Sequence, residues 1–499
     1  MNTLSVFSRV SVLALFSISF FISAPLFAES SEWTIMPNEK FQQLLEDLDA
    51  NPTLFDDNRN LITQLSGDQF AEMINYLGLT HFTYLHPVIM KANELMSLNG
   101  KAIAGLSVMS VRGGNLIPIP FQIDELDVKG WVHTGEDAIY DMKGKEGILD
   151  EDDELVFMLR DTGRAEYNPE LMNPVDGKVL KELTFDNGDG TSRYAYIVEG
   201  SELRSTADYV DFDMHTGIAS TTFYNFKTKP TNFLVFEDFK ARVGDNQSQR
   251  VLDAILVDVS TNVFTKWSPR VSLNNFDNLE ATPFASKDGP VRSATLIKLW
   301  VVIAKVPVFR IVAQLDIWDQ GLGLPVKINI PGAEILTRML VDPYINIALD
   351  FTDITGGHVS AALNPDPTKY GVVDGKMSDF EKALNITLEH NWLWVESGHG
   401  WDVFFDLQVP LDLDVGVRLF YEDDPNSFYA NESFPGALPR AGWTVDRLPK
   451  DKLNIDLRAN FWFPDSVGPG GPLAFKSAKA AAPIAQVSTF SAEQIASVE

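Results

Sequence analysis

The sequence contains no cysteine. Disulfides and thiol nucleophiles are therefore excluded, and stability has to come from buried apolar area. A G-x-S-x-G elbow is also missing, which leaves serine hydrolase chemistry without its signature. The seven histidines form no H-E-x-x-H pair, so zinc is poorly supported. No repeat of fixed period is present, which argues against propellers and solenoids. Cations are scarce: 40 Lys and Arg face 69 Asp and Glu, for a net charge of -29. Such a surface repels nucleic acid and anionic lipid and suits cations, neutral ligands or basic partners. Plain solubility of an exported protein explains the same acidity.

Beyond the N-terminus, no apolar run is long and clean enough to span a bilayer. The most hydrophobic stretch, 296–318, is interrupted by Lys298, Lys305, Arg310 and Asp316 and carries Pro307. Two neighbouring strands fit it better than one helix. The strands are too irregular for an outer-membrane barrel. At the N-terminus, MNTLSVFSR carries Arg9, an apolar stretch follows over 10–27, and Leu26-Phe27-Ala28 precedes Glu29. This pattern is a signal peptide over residues 1–28, removed on export. Leu26 is large for its place before the cut, which leaves an uncleaved anchor as the alternative. The expected location is the periplasm or the exterior of a bacterial envelope, with no integral membrane segment after cleavage.

What remains is globular in composition, with 45% hydrophobic and 11% aromatic residues in a chain of 499. Residues 29–98 read as a helical segment, because Phe41, Leu44, Leu45 and Leu48, then Phe70, Met73, Ile74 and Leu77, recur at three- and four-residue steps. From 99 onward, short apolar and β-branched runs alternate with Gly, Pro, Asn and Asp. We expect a mainly β fold: a sandwich module over 99–243, a larger β-rich domain over 244–465, and a flexible Ala/Ser/Pro-rich tail over 466–499.

The most distinctive segment is PFQID at 120–124, followed by LDxDDELVFM at 149–158. It resembles a module of exported, β-rich bacterial proteins, some of them linked to polysaccharides. The resemblance covers residues 100–200; it implies a β-sandwich module and no particular reaction. Within it, Asp150, Asp152, Asp153 and Glu154 put four carboxylates into five residues, a density of hard oxygen that suits Ca²⁺. The spacing departs from an EF-hand loop, and a solvated acidic turn is the alternative. Asp186-Asn187-Gly188-Asp189-Gly190-Thr191 reads as a hairpin turn.

A second candidate lies at 389–401. On a strand, His390, Trp392, Trp394 and Glu396 share one face, with His399 and Trp401 close behind. Sugar rings stack on such aromatics, and His390, Glu396 or His399 would supply an acid or base beside them. In the competing reading, Trp392, Trp394 and Trp401 fill a core. Two functions follow: a non-enzymatic envelope protein binding a glycan, a lipid or an envelope partner, or a polysaccharide lyase or glycoside hydrolase.

Overall fold

The computed structural model describes residues 35–50, 59–95, 98–242, 250–303, 306–329, 340–410, 415–447 and 454–491. The expected signal peptide over residues 1–28 and residues 492–499 of the expected tail lie outside them. The chain is mostly β, built of antiparallel sheets with few helices. Among the described residues no helix is long and apolar enough to cross a membrane.

Two nine-stranded sheets carry the architecture. One is centred on strands Leu252–Val263, Leu340–Phe351 and Arg440–Asp446. The other runs from Leu279–Lys287 through Arg292–Ile303, Val306–Trp318, Gly321–Asn329, Asn454–Trp462 and Asp402–Gln408 to Leu393–Glu396 and beyond. Their apolar faces share one core, where Trp443 of the first sheet meets Phe405 and Phe461 of the second at ring distances of 6.0 and 5.7 Å. Alternation explains this packing, since successive side chains of a strand point to opposite faces. In Asn454–Trp462, Leu457, Ala459 and Phe461 are buried in that core, while Asp456, Arg458 and Asn460 occupy the intervening positions. The stretch 296–318 does form two paired strands, with Leu299 opposite Ile311.

A five-stranded sheet and a three-stranded sheet complete the molecule. The small sheet unites the two halves of the distinctive motif: Phe121–Asp124 pairs with Glu154–Met158, so that Asp124 lies opposite Glu154. Helices Gly67–Tyr76 and His81–Leu85 open with capping boxes at Ser66 and Thr80 and bury Phe70 and Phe82 in the main core.

Three expectations are corrected. The helical reading ends early, because Pro87–Lys91 is a strand of the small sheet, paired with Glu154–Met158. The division at 243/244 does not separate two sheets, because Asn232–Ala241 pairs with Leu252–Val263 inside one of them. The tail is structured through 491: Gly471–Ala480 is a helix with Pro472 in its first turn, and Gln486–Thr489 pairs with Lys178–Asp186. Alanine favours the helix once proline has set its start, and Phe475 anchors it between Phe82 and Phe404 at 5.4 and 4.9 Å.

Phe475→Ala should therefore lower unfolding stability by about 3–5 kcal/mol, read by urea denaturation. An unchanged midpoint would mean that the C-terminal helix contributes nothing to the core.

Candidate functional site

The second nine-stranded sheet turns its other face to a cleft of about 1000 Å³. Its floor comes from the alternate positions that miss the core: Gln314 and Asp316, Lys327, Asp456 and Arg458, and Asp406 and Gln408. The walls are the loop from Leu126 to Val132, the small sheet with Lys91 and Glu154, the turn from Leu388 to Trp392, and the C-terminal helix with Lys476 and Lys479.

Side chains of the floor form a continuous polar rail. Lys479 Nζ lies 2.8 Å from Asp406, whose other oxygen accepts from Asn460 Nδ2 at 3.2 Å. Arg458 donates to Asn460 at 2.9 Å and to Asp316 at 2.7 Å. Gln314 donates to Asp316 at 2.6 Å, and its oxygen accepts the backbone N–H of Val132 at 3.0 Å. Charged groups held in such pairs cannot rotate freely, so they offer fixed donors and acceptors to a ligand.

Arg292 anchors the corner between floor and wall. It is 2% exposed and donates to Asp124 through Nε at 3.0 Å and Nη2 at 2.5 Å, and to Glu154 at 3.0 Å. Gln122 donates to both oxygens of Asp124 and accepts the backbone N–H groups of Val291 and Arg292. Burial pushes the Asp124 carboxyl up, but Arg292 and Lys287 outweigh it and hold the group below its usual range.

The cleft has a charge balance unlike that of the chain. Lys91, Lys143, Arg292, Lys327, Arg458, Lys476 and Lys479 line it, matched by seven acidic residues, whereas the whole chain has 40 cations to 69 acids. Trp131, Trp392 and Phe404 add apolar lining, although the two tryptophans are only 4% and 6% exposed.

The sequence candidates distribute unevenly around this site. Trp392 borders the cleft and stacks on Phe404 at 5.6 Å, but Trp394 and Trp401 are not part of its lining. All three tryptophans are buried, with Trp394 donating to Asp402 at 3.0 Å and Trp401 stacked on Phe351, so they are core residues and not an open platform. His390 is exposed in a turn, Glu396 is paired with His358 at 2.5 Å, and His399 lies in the following loop. Among the described residues no hydrogen bond or ion pair joins His390, Glu396 and His399, and none of them lines the cleft.

The carboxylates of the acidic turn have separate partners. Asp150 accepts the N–H of Asp152 at 3.1 Å, Asp152 pairs with Lys143, Asp153 turns inward to accept the N–H of Asp150 at 2.8 Å, and Glu154 serves Arg292. Burial pushes the Asp153 carboxyl up to about 6. Among the described residues the one group of three acids close enough to share an ion is Asp253, Asp350 and Glu432. Guanidinium groups already face it, with Arg250 3.3 Å from Asp253 and Arg440 3.7 Å from Asp350.

Sequence reasoning missed Lys327, Asp316, Asp406 and Arg458. Their signal was a charge at alternate positions inside otherwise apolar strands.

No family model and no curated protein matches the chain. Among solved structures, the protein crystallised as HI1317 is similar with a TM-score of 0.29 and 9% identity, over 52% of this chain and 98% of that one. A candidate mutarotase (YeaD) from Salmonella typhimurium is similar with a TM-score of 0.27 and 10% identity, over 50% and 89%. At such scores the likeness defines neither fold nor activity.

Two outcomes test the electrostatics. Arg292→Met leaves the buried Asp124 with the partly exposed Lys287, 3.2 Å away, as its remaining counter-ion and should cost about 3–5 kcal/mol in chemical denaturation; a loss below about 1 kcal/mol would show that the Arg292 pair does not hold the corner. Burial pushes the Asp402 carboxyl up to about 8, so it stays neutral in the fold while the unfolded chain ionises. Its stabilising effect is complete below the ordinary value of 3.8 and drains away as pH rises towards 8. Asp402→Asn keeps an acceptor for Trp394 and Val467. Relative to the parent, its thermal midpoint should therefore rise between pH 4 and pH 8; parallel pH profiles would contradict this.

Proposed function

We propose that this protein is an exported, non-enzymatic carbohydrate-binding protein of the bacterial envelope, and that a saccharide lies across the floor of the cleft. The observation that carries the reading is the polar rail from Lys479 to Gln314: carboxylate, amide and guanidinium groups fixed side by side on a rigid sheet. Sugar hydroxyls both donate and accept, and such interleaved groups satisfy both demands. A volume of about 1000 Å³ accommodates several sugar rings. A lipid fits less well, because a lining of seven cations and seven acids would leave charges desolvated against acyl chains. The resemblance of the PFQID and LDxDDELVFM segments to polysaccharide-linked exported proteins points the same way. Those segments supply Gln122, Asp124 and Glu154, which hold Arg292 at the edge of the cleft.

Calorimetric titration of the mature chain with a panel of oligosaccharides tests the proposal. Binding is expected for at least one glycan, without release of shorter products. Gln408 is exposed at the cleft, so Gln408→Trp should fill the groove and weaken that binding by about tenfold or more, while stability stays within about 0.5 kcal/mol. Unchanged affinity in this variant would move the site elsewhere, and chain cleavage would make the protein an enzyme.

A further inference from the structure

Seven cations line the cleft, but their partners differ. Lys143, Arg292, Arg458 and Lys479 each have a carboxylate within 4 Å. Lys91, Lys327 and Lys476 have none among the described residues; Lys476 lies on the C-terminal helix, whereas Lys327 and Lys91 belong to the end of the cleft formed by the small sheet and the 126–132 loop.

Lys327 is half-buried, and its ammonium is held by neutral atoms. It donates to the carbonyls of Lys129 and Gly130 at 3.0 and 2.9 Å and lies 4.5 Å over the ring of Trp131. An ammonium has three protons to donate. Two are used here, and none of these partners neutralises its charge. The turn is shaped to let it in: Gly130 has φ +73°, and a Cβ there would come within 2.8 Å of Lys327 Nζ. Burial draws the Lys327 pKa below its ordinary value, and neighbouring Lys91 lowers it further, against the opposing pull of Asp456, Asp127 and Glu154.

Two of those three acids are already engaged, and the third does not close the gap. Glu154 is bound to Arg292, and Asp127 accepts the backbone N–H groups of Lys129 and Trp131 at 2.7 and 3.0 Å. Asp456, opposite Lys327 on the adjoining strand, is exposed and makes no ion pair with it within 4 Å. A cation placed in a cleft by carbonyls and an aromatic ring, beside a second cation, costs desolvation and repulsion in the unliganded protein. An anion arriving between them relieves both.

We infer that Lys91 and Lys327 form an anion subsite that receives the carboxylate of an acidic sugar residue, the rest of the saccharide lying along the polar rail. This rests on the carbohydrate reading of the cleft and names its substrate class: a mainly neutral glycan carrying a uronate. Lys91 and Lys327 would donate to the carboxylate, and Trp131 would keep the Lys327 ammonium from swinging into solvent.

The test is calorimetric titration of the mature chain with oligosaccharides bearing a single glucuronate on glucan, xylan or galactan backbones, alongside their methyl esters. Esterification removes the charge and leaves the sugar. The acid form should bind roughly ten- to hundredfold more tightly than its ester. Lys327→Gln, which keeps a donor for the carbonyls, and Lys91→Gln, at an exposed position of its strand, should each remove most of that preference, weakening binding of the acid far more than binding of the ester. Equal binding of acid and ester overturns the subsite while sparing the cleft, provided that Gln408→Trp weakens both by about tenfold or more. A preference for the acid that survives in both lysine variants also overturns it. Inorganic phosphate separates the sources of the anion: tight phosphate binding lost in Lys327→Gln, with no gain from an attached sugar, would replace the uronate with a free anion. Binding of no oligosaccharide in the panel overturns both the subsite and the cleft reading.

Discussion

The buried guanidinium of Arg292 is the constraint on which the architecture of the cleft depends. It sits at the start of a floor strand, yet its counter-ions come from the two strands of the small sheet, Asp124 from one and Glu154 from the other. Removing an arginine and a carboxylate from water costs several kcal/mol each, and only close geometry with further hydrogen bonds offsets the loss. Gln122 supplies these, holding Asp124 with its amide group and the backbone of Val291 and Arg292 with its oxygen. Even the connection before the strand is fitted to it, because a Cβ at Gly289 would come within 2.4 Å of the Gln122 side chain. Such an arrangement contributes little net stability compared with an apolar substitute, but it permits only one relative placement of wall and floor.

Given that placement, a single sheet serves two purposes. One face of Val306–Trp318, Asn454–Trp462 and Asp402–Gln408 buries Leu315, Ile317, Phe461 and Phe405 in the main core. The other carries the rail. Because the period of a strand is two, a register slip of one residue would drive Asp316 and Arg458 into the core and Leu315 and Leu457 into the cleft. The strength of the core therefore also fixes the register of the binding face, which suits a chain with no cysteine to fix it otherwise.

This division explains what the sequence disclosed. The β class, the paired strands across 296–318 and the turn at Asp186–Thr191 were legible because alternation and Gly-containing turns are local signals. Burial of Trp392, Trp394 and Trp401 was one of two readings, since period two says which residues share a face but not whether that face meets water or another sheet. The C-terminal segment misled because its alanines and serines suit a helix as well as a loop, and a single phenylalanine, Phe475, docks it. The cleft was illegible for another reason. Lys91, Trp131, Arg292, Lys327, Asp406, Arg458 and Lys479 come from seven separate places in the chain, and each reads alone as an ordinary strand, loop or helix residue.

A cleft with as many cations as acids inside a chain of net charge -29 sets two electrostatic effects against each other at different ranges. The net charge repels an approaching anion, but salt at physiological strength screens this beyond about 8 Å. Lys91 and Lys327 act at contact, where water is displaced and screening is weak. The combination discriminates by charge density. A glycan with one carboxylate per several sugars can seat that group between the lysines and lay neutral rings elsewhere. A polymer charged on every residue would bring its remaining carboxylates against the acids that dominate the surrounding surface. Scarcity of charge on the ligand thus becomes a condition for binding, even though the decisive contact is ionic.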